Sequence, residues 1–255
     1  MTDDAERNAL FDALLILGDN ALILGQRLGE LVTTGPELEE EMATANFALD
    51  YVGQARLFFS YAGELEGQGR DEDALAFGRD GHDFHNLLLL EQPNGDFAFN
   101  TARQFLFETF YLLQLQALSE STDTRLAQIA ARAEKEIRYH LRYQVNWMLR
   151  LGDGTAHSHE RIQTALDELW RYTGEMLSAC ATELPAIERG LVPDPSALAP
   201  AWREQVENTL HKATLTMPPE QWMADGGKAG THTEHLGYLL AEMQFLPRAY
   251  PDARW

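Results

Sequence analysis

Residues 124–151 read TRLAQIAARAEKEIRYHLRYQVNWMLRL. Leu126, Ile129, Ala130, Ala133, Ile137, Leu141 and Met148 fall at the i, i+3, i+4, i+7 spacing that puts them on one face of an α-helix. Thr122 and Asp123 stand ahead of the stretch as candidate N-caps, and Gly152-Asp153-Gly154 ends it. A helix of about 28 residues spans roughly 42 Å, a length typical of a bundle helix. Two polar residues, Glu136 and His140, sit one turn apart next to the apolar row.

The same periodicity extends in both directions. A helix is expected over about 11–32, with a stripe that includes Leu14, Leu17, Ala21, Leu24, Leu28 and Leu31; Gly35-Pro36 stops it. The next runs from about 37 to 66, with Leu38, Met42, Ala45, Leu49 and Val52 as its stripe. Glu37, Glu39, Glu40 and Glu41 fall in its first turn, where the helix dipole favours negative charge. Short helices are expected over 71–77 and 83–91, then a turn at Gln92-Pro93-Asn94-Gly95-Asp96 and a long helix over 100–119. After residues 124–151, a helix is expected over 158–180. Pro185, Pro193, Pro195 and Pro200 mark a connecting loop with a short helical piece, and helices follow over 201–215 and 233–248. No stretch alternates strictly between apolar and polar, as a half-buried strand would. The expected architecture is all-α: a four-helix bundle with additional C-terminal helices, one domain over 1–255 with 1–10 as a flexible N-terminus.

Hydrophobic residues make up 45% of the chain, enough for a large core. Lysine and arginine total 20 against 40 aspartates and glutamates, a formal charge of −20. That field repels nucleic acid and anionic lipid, so neither is an expected partner. Cys180 is the sole cysteine, which rules out an intrachain disulfide and is compatible with a reducing cytoplasm. The first six residues are acidic where a secretory signal would be basic, and the apolar run 13–25 is interrupted by Asp19 and Asn20.

Polar residues inside apolar stripes carry the functional information. Glu108 lies in the stripe Thr101, Phe105, Leu112, Leu115; Asn46, Asp50 and Gln54 form a row in the second helix. Buried groups of this kind must pair with one another, with donors or with a metal. Inward carboxylates and a histidine on a bundle resemble the ferritin-like di-iron proteins, which take Glu-x-x-His pairs from two helices and one Glu from each of two more. The pattern fails here. The residues three positions before the eight histidines are Arg79, His82, Ile137, Gly154, Ala156, Asn208, Ala229 and His232, none of them acidic, and Gly53 follows Asp50 at the ligand offset. Asp50, Glu108, Glu136 and His140 are therefore expected to form a buried polar network, with no catalytic, cofactor or metal site in this chain. His232-Thr233-Glu234-His235 reads as a helix N-terminus with Thr233 as cap, Glu234 in the first turn and the histidines as polar loop residues; His157 and His159 read as solvated beside a glycine-rich turn, and His82 and His85 as loop or interface residues. Gly226-Gly227-Lys228-Ala229-Gly230 lacks Walker spacing, and no Gly-x-Ser-x-Gly occurs.

Several longer segments have a further meaning: Leu17-Gly18-Asp19-Asn20, Gln26-Arg27-Leu28-Gly29-Glu30, Leu49-Asp50, Gly53-Gln54-Ala55-Arg56, Asn86-Leu87-Leu88-Leu89, Glu91-Gln92-Pro93-Asn94-Gly95, Arg138-Tyr139-His140-Leu141-Arg142, Gly226-Gly227-Lys228, His232-Thr233-Glu234-His235-Leu236-Gly237 and Ala241-Glu242-Met243-Gln244. Together they resemble the C-type subunit of the multicomponent phenylacetyl-CoA epoxidases, over roughly 14–255. The resemblance implies a ferritin-like fold and a structural, non-catalytic role in aerobic phenylacetate breakdown. It implies partners: a di-iron catalytic oxygenase subunit, a small bridging subunit, and a reductase carrying FAD and an iron–sulfur cluster and using NADPH. The alternative from the residues alone is an autonomous metal-dependent oxidase with an atypical ligand set from Asp50, Glu108, Glu136 and His140.

Overall fold

The computed structural model describes residues 4–251 and 253. Among them are eleven α-helices and no strand: α1 (Asp4–Glu30), α2 (Leu38–Glu66), α3 (Glu72–Phe77), α4 (Leu88–Glu91), α5 (Phe97–Leu118), α6 (Thr124–Gly152), α7 (Ala156–Leu169), α8 (Leu184–Glu188), α9 (Pro195–Lys212), α10 (Glu234–Met243) and α11 (Phe245–Ala249). The chain, expected to be one domain, divides into two compact units. One is drawn from 4–93, 180–189 and 226–251; the other comprises Asn94–Ala179 and Gly190–Asp225. Each is built on one antiparallel pair of long helices.

In the first unit α1 and α2 pack along their lengths. Of the N-terminus expected to be flexible, 1–3 lie outside the described residues. α1 starts at Asp4, ahead of the expected start at 11, and Ala9 and Leu10 are already buried. It is long and apolar enough to cross a membrane by length and composition, yet 83% of that stretch is buried within the fold. Apolar residues on all sides make it a core helix. The expected stripe of α2 is corrected. Leu38, Met42, Leu49 and Val52 are exposed, and the buried face is Phe47, Ala48, Tyr51, Ala55, Phe58, Phe59 and Ala62. Gly67, at φ 69°, ends α2 in the left-handed region, where glycine costs nothing.

The helix expected over 83–91 is only α4. Phe84 to Leu87 run extended because their amides bond elsewhere: His85 N donates to Asp19 Oδ2 at 2.8 Å and Leu87 N to Asn20 Oδ1 at 2.8 Å. α10 and α11 divide the helix expected over 233–248.

In the second unit α5 pairs with α6, and α7 and α9 cover them. Asp96 and Asp123 cap α5 and α6 by accepting from Phe99 N at 2.8 Å and Leu126 N at 2.7 Å. α7 ends at Leu169, short of the expected 180, and continues as 3₁₀ turns at Trp170–Tyr172 and Gly174–Leu177. Cys180 lies beyond them outside any helix. α9 begins at Pro195, six residues before its expected start: Pro195 takes the first position, where a missing N–H costs nothing, and Pro200 lies inside the helix. Trp202 of α9 is buried and its indole Nε1 donates to Leu106 O at 3.0 Å.

Candidate functional site

The α5–α6 interface carries a ladder of polar side chains within the second unit. Glu108 and His140 are both fully buried, with Glu108 Oε1 and His140 Nδ1 3.9 Å apart. That is ion-pairing distance but too long for a hydrogen bond. One turn away, Gln144 Nε2 donates to Gln104 Oε1 at 3.0 Å, and both are buried. Tyr111 is buried in the same face of α5, and burial, with the charge of Glu136 as a smaller cause, pushes its phenol pKa far up. Glu136 remains partly exposed, with Arg132 Nε 3.6 Å from its carboxylate.

Of the four expected network residues, the structure thus brings Glu108 and His140 together and sets Glu136 beside Tyr111. Asp50 lies on α2 in the first unit, half-buried. Gln104, Gln144 and Tyr111 were missed. The signal was present as spacing: Gln104–Glu108 and His140–Gln144 are each one turn apart on stripes that face each other. Beside Glu108 and His140 stand two glutamines whose amides bond each other, and neutral amides are poor ligands for hard cations. Among the described residues no group of three or more His, Cys, Asp and Glu side chains gathers as a metal would require.

The first unit contains a denser network, formed by segments far apart in sequence. Arg79 pairs with Asp19 inside the fold; its Nη1 also donates to Asp83 O at 2.8 Å, and its guanidinium lies 4.3 Å from the Phe84 ring centre. Glu91, fully buried, accepts four hydrogen bonds. Asn86 Nδ2 at 2.9 Å and His232 Nδ1 at 2.7 Å reach Oε2. Thr233 N at 2.6 Å and its Oγ1 at 2.7 Å reach Oε1. The expected reading of this segment is corrected: Thr233 bonds Glu91 and makes no side-chain cap, and His232 is sequestered.

His232 Nε2 lies 2.8 Å from Phe84 O, which can only accept. With a carboxylate on one nitrogen and a carbonyl on the other, both nitrogens must donate, so the ring is an imidazolium. Burial alone pulls its pKa down, but the bonds to Glu91 and Phe84 and the charges of Glu91 and Asp19 outweigh it, and the net shift is upward. Lys228 Nζ donates to Glu183 Oε2 at 2.6 Å, both side chains buried, and Arg27 Nη2 donates to Glu91 O at 2.6 Å. The glycine-rich loop serves packing. A Cβ on Gly227 would stand 2.3 Å from Asn86 O, and Gly230, at φ 78°, has His82 O 2.4 Å from the same position.

The sequence as a whole matches the family described as phenylacetic acid catabolic protein, over residues 1–255. The chain belongs to this family. Its all-α fold is the ferritin-like one of phenylacetic acid catabolic proteins. The C subunit of the 1,2-phenylacetyl-CoA epoxidase of Escherichia coli (strain K12) is 49% identical over 248 residues, covering 97% of this chain and 100% of that relative. Most segments that carried the resemblance now have a physical role. Asp19-Asn20, Arg27, Asn86, Glu91, Gly227-Lys228 and His232-Thr233 build the buried network of the first unit. In this member of the phenylacetic acid catabolic family, buried charge is engaged in holding chain segments together.

Proposed function

We propose that this chain is the C-type subunit of a phenylacetyl-CoA epoxidase and acts as a structural, non-catalytic partner in that assembly. The observation that carries the assignment is the 49% identity along the whole length of an epoxidase subunit of that type. The structural role is argued from α5 and α6, where a Gln104–Gln144 amide pair lies one turn from Glu108 and His140 and no Glu-x-x-His pair exists. The chemistry then belongs to other subunits: a di-iron catalytic oxygenase subunit that forms the ring 1,2-epoxide with O₂, a small bridging subunit, and a reductase that passes electrons from NADPH through FAD and an iron–sulfur cluster. A cytoplasmic location accords with these cofactors and with a lone cysteine.

Co-expression with the other epoxidase subunits tests this. An obligate interface commonly buries about 2,000 Å² or more, so the chain should co-elute with the catalytic subunit on gel filtration at micromolar concentration. Two separate peaks would contradict the assignment.

A further inference from the structure

Residues 226–249 lie against the segment 76–91 of the first unit. Their buried apolar side chains, among the described residues, are Leu236, Leu239 and Leu240, while Tyr238, Phe245 and Leu246 stand exposed. The loop closes on itself, with Ala229 N and Thr231 N both donating to Gly226 O at 2.9 Å, and Gly227 and Gly230 let its backbone rest on Asn86 O and His82 O. Polar side chains spread along the segment supply the fastening. Lys228 pairs with buried Glu183, and His232 and Thr233 bond Glu91. Farther on, Gln244 Nε2 donates to Arg79 O at 2.9 Å and Arg248 Nη2 to the same oxygen at 2.7 Å. A segment with a small apolar contact, tied by side chains, opens at lower cost than the helix pair it lies on, and as a unit.

One of these ties changes near neutral pH. His232 Nδ1 faces the Glu91 carboxylate and Nε2 faces Phe84 O, so the ring needs both protons. A neutral ring carries one N–H. It sets a lone pair against a buried acceptor and ends the ion pair with Glu91. The other charges around the ring are engaged elsewhere. Asp19 of α1 is paired with Arg79, and Arg27 of α1 with Glu30 and Glu91 O. In the adjoining turn His82 and Asp83 pair with each other, and His85 Nδ1 donates to Lys228 O at 3.1 Å. Glu234 and His235 belong to the segment itself. We propose that residues 226–249 are a pH-sensitive clasp, closed while His232 is an imidazolium and released as one piece when that ring loses a proton, which uncovers 84–91. The raised pKa sets the window. Opening is constant below the ordinary value of about 6.5, climbs by up to about tenfold per pH unit until the folded value is reached, and is constant above it.

Hydrogen exchange of the full chain, followed by mass spectrometry from about pH 6 to pH 9 with each rate divided by the intrinsic chemical rate, reads the opening. In wild type, amides over 226–233 and 234–243 should open in step, at least about threefold more at the alkaline end than at the acid end, while α5 and α6 stay flat. His232→Asn should abolish the slope and His85→Gln should keep it. Lys228→Gln should raise opening by one common factor over both stretches, with the slope unchanged. Should His232→Asn fail to fold, Glu91→Gln, which removes the same ion pair and should also flatten the slope, decides beside the wild-type profile. A flat wild-type profile, a slope shared by α5 and α6, a slope that survives His232→Asn, or one abolished by His85→Gln overturns the switch. Lys228→Gln that frees 226–233 alone overturns the clasp as a single piece.

Discussion

Replacing Glu91 by glutamine changes one oxygen of a side chain that accepts four hydrogen bonds while leaving its volume almost constant. Thr233 N and Oγ1 hold Oε1, so the new amide nitrogen falls at Oε2, facing Asn86 Nδ2 at 2.9 Å and His232 Nδ1 at 2.7 Å. Both are donors. His232 can adapt by shedding its Nδ1 proton and accepting from the amide, at the loss of the ion pair; Asn86 then loses its bond to this site. Breaking a buried charge pair costs about 3–5 kcal/mol, and the stranded Asn86 donor falls within that range because it retains Leu87 O at 3.2 Å. For a domain of this size each kcal/mol moves the melting temperature by about 2–4 °C, so Glu91→Gln should lower it by roughly 6–20 °C. The assay is thermal unfolding followed by circular dichroism at 222 nm, paired with hydrogen exchange over 226–243, where protection should fall first. A drop under about 2 °C, or exchange over 226–243 no faster than in wild type, would refute the role given to Glu91.

His232 gives the same network a pH signature. Its folded pKa is raised, so its contribution is complete below the unfolded value of about 6.5 and is lost as pH rises through the folded value. The stability gap between wild type and His232→Asn in urea titrations should therefore narrow with rising pH, and a gap that is flat or widens contradicts the imidazolium. Trp202→Phe removes the indole bond to Leu106 O and shrinks a buried ring, at a cost of about 2–3 kcal/mol, measured as a lower urea midpoint with an unchanged slope; a shift below about 0.5 kcal/mol would show that the site repacks.

Elements governed by local signals were legible in the sequence. α6 was readable to within a residue because its stripe is single and Asp123 caps it; α5 was readable except for its first turn, which Asp96 begins. α2 was misread because it bears two apolar rows, and nothing local distinguishes the buried aromatic row from the exposed aliphatic one. Residues 84–87 were misread because their apolar run is compatible with a helix, while the bonds that hold them extended come from Asp19 and Asn20, more than sixty residues away. Separations of 141 and 45 residues likewise hid the Glu91–His232 and Lys228–Glu183 pairs: each partner alone reads as a polar loop or helix-end residue. Glu108 and His140 were readable as inward polar residues on long stripes.

If the chain supports epoxidation without performing it, as proposed, turnover per intact complex should not depend on its buried polar pair. Complexes assembled with Glu108→Gln and His140→Gln in this chain, isolated by gel filtration, should turn over within about twofold of wild type, because neither residue would touch the reacting atoms. The isolated wild-type chain, expressed with excess iron, should hold no stoichiometric metal. Intact complexes that lose turnover with these substitutions, or two irons per isolated chain that disappear with them, would contradict the claim and favour an autonomous oxidase.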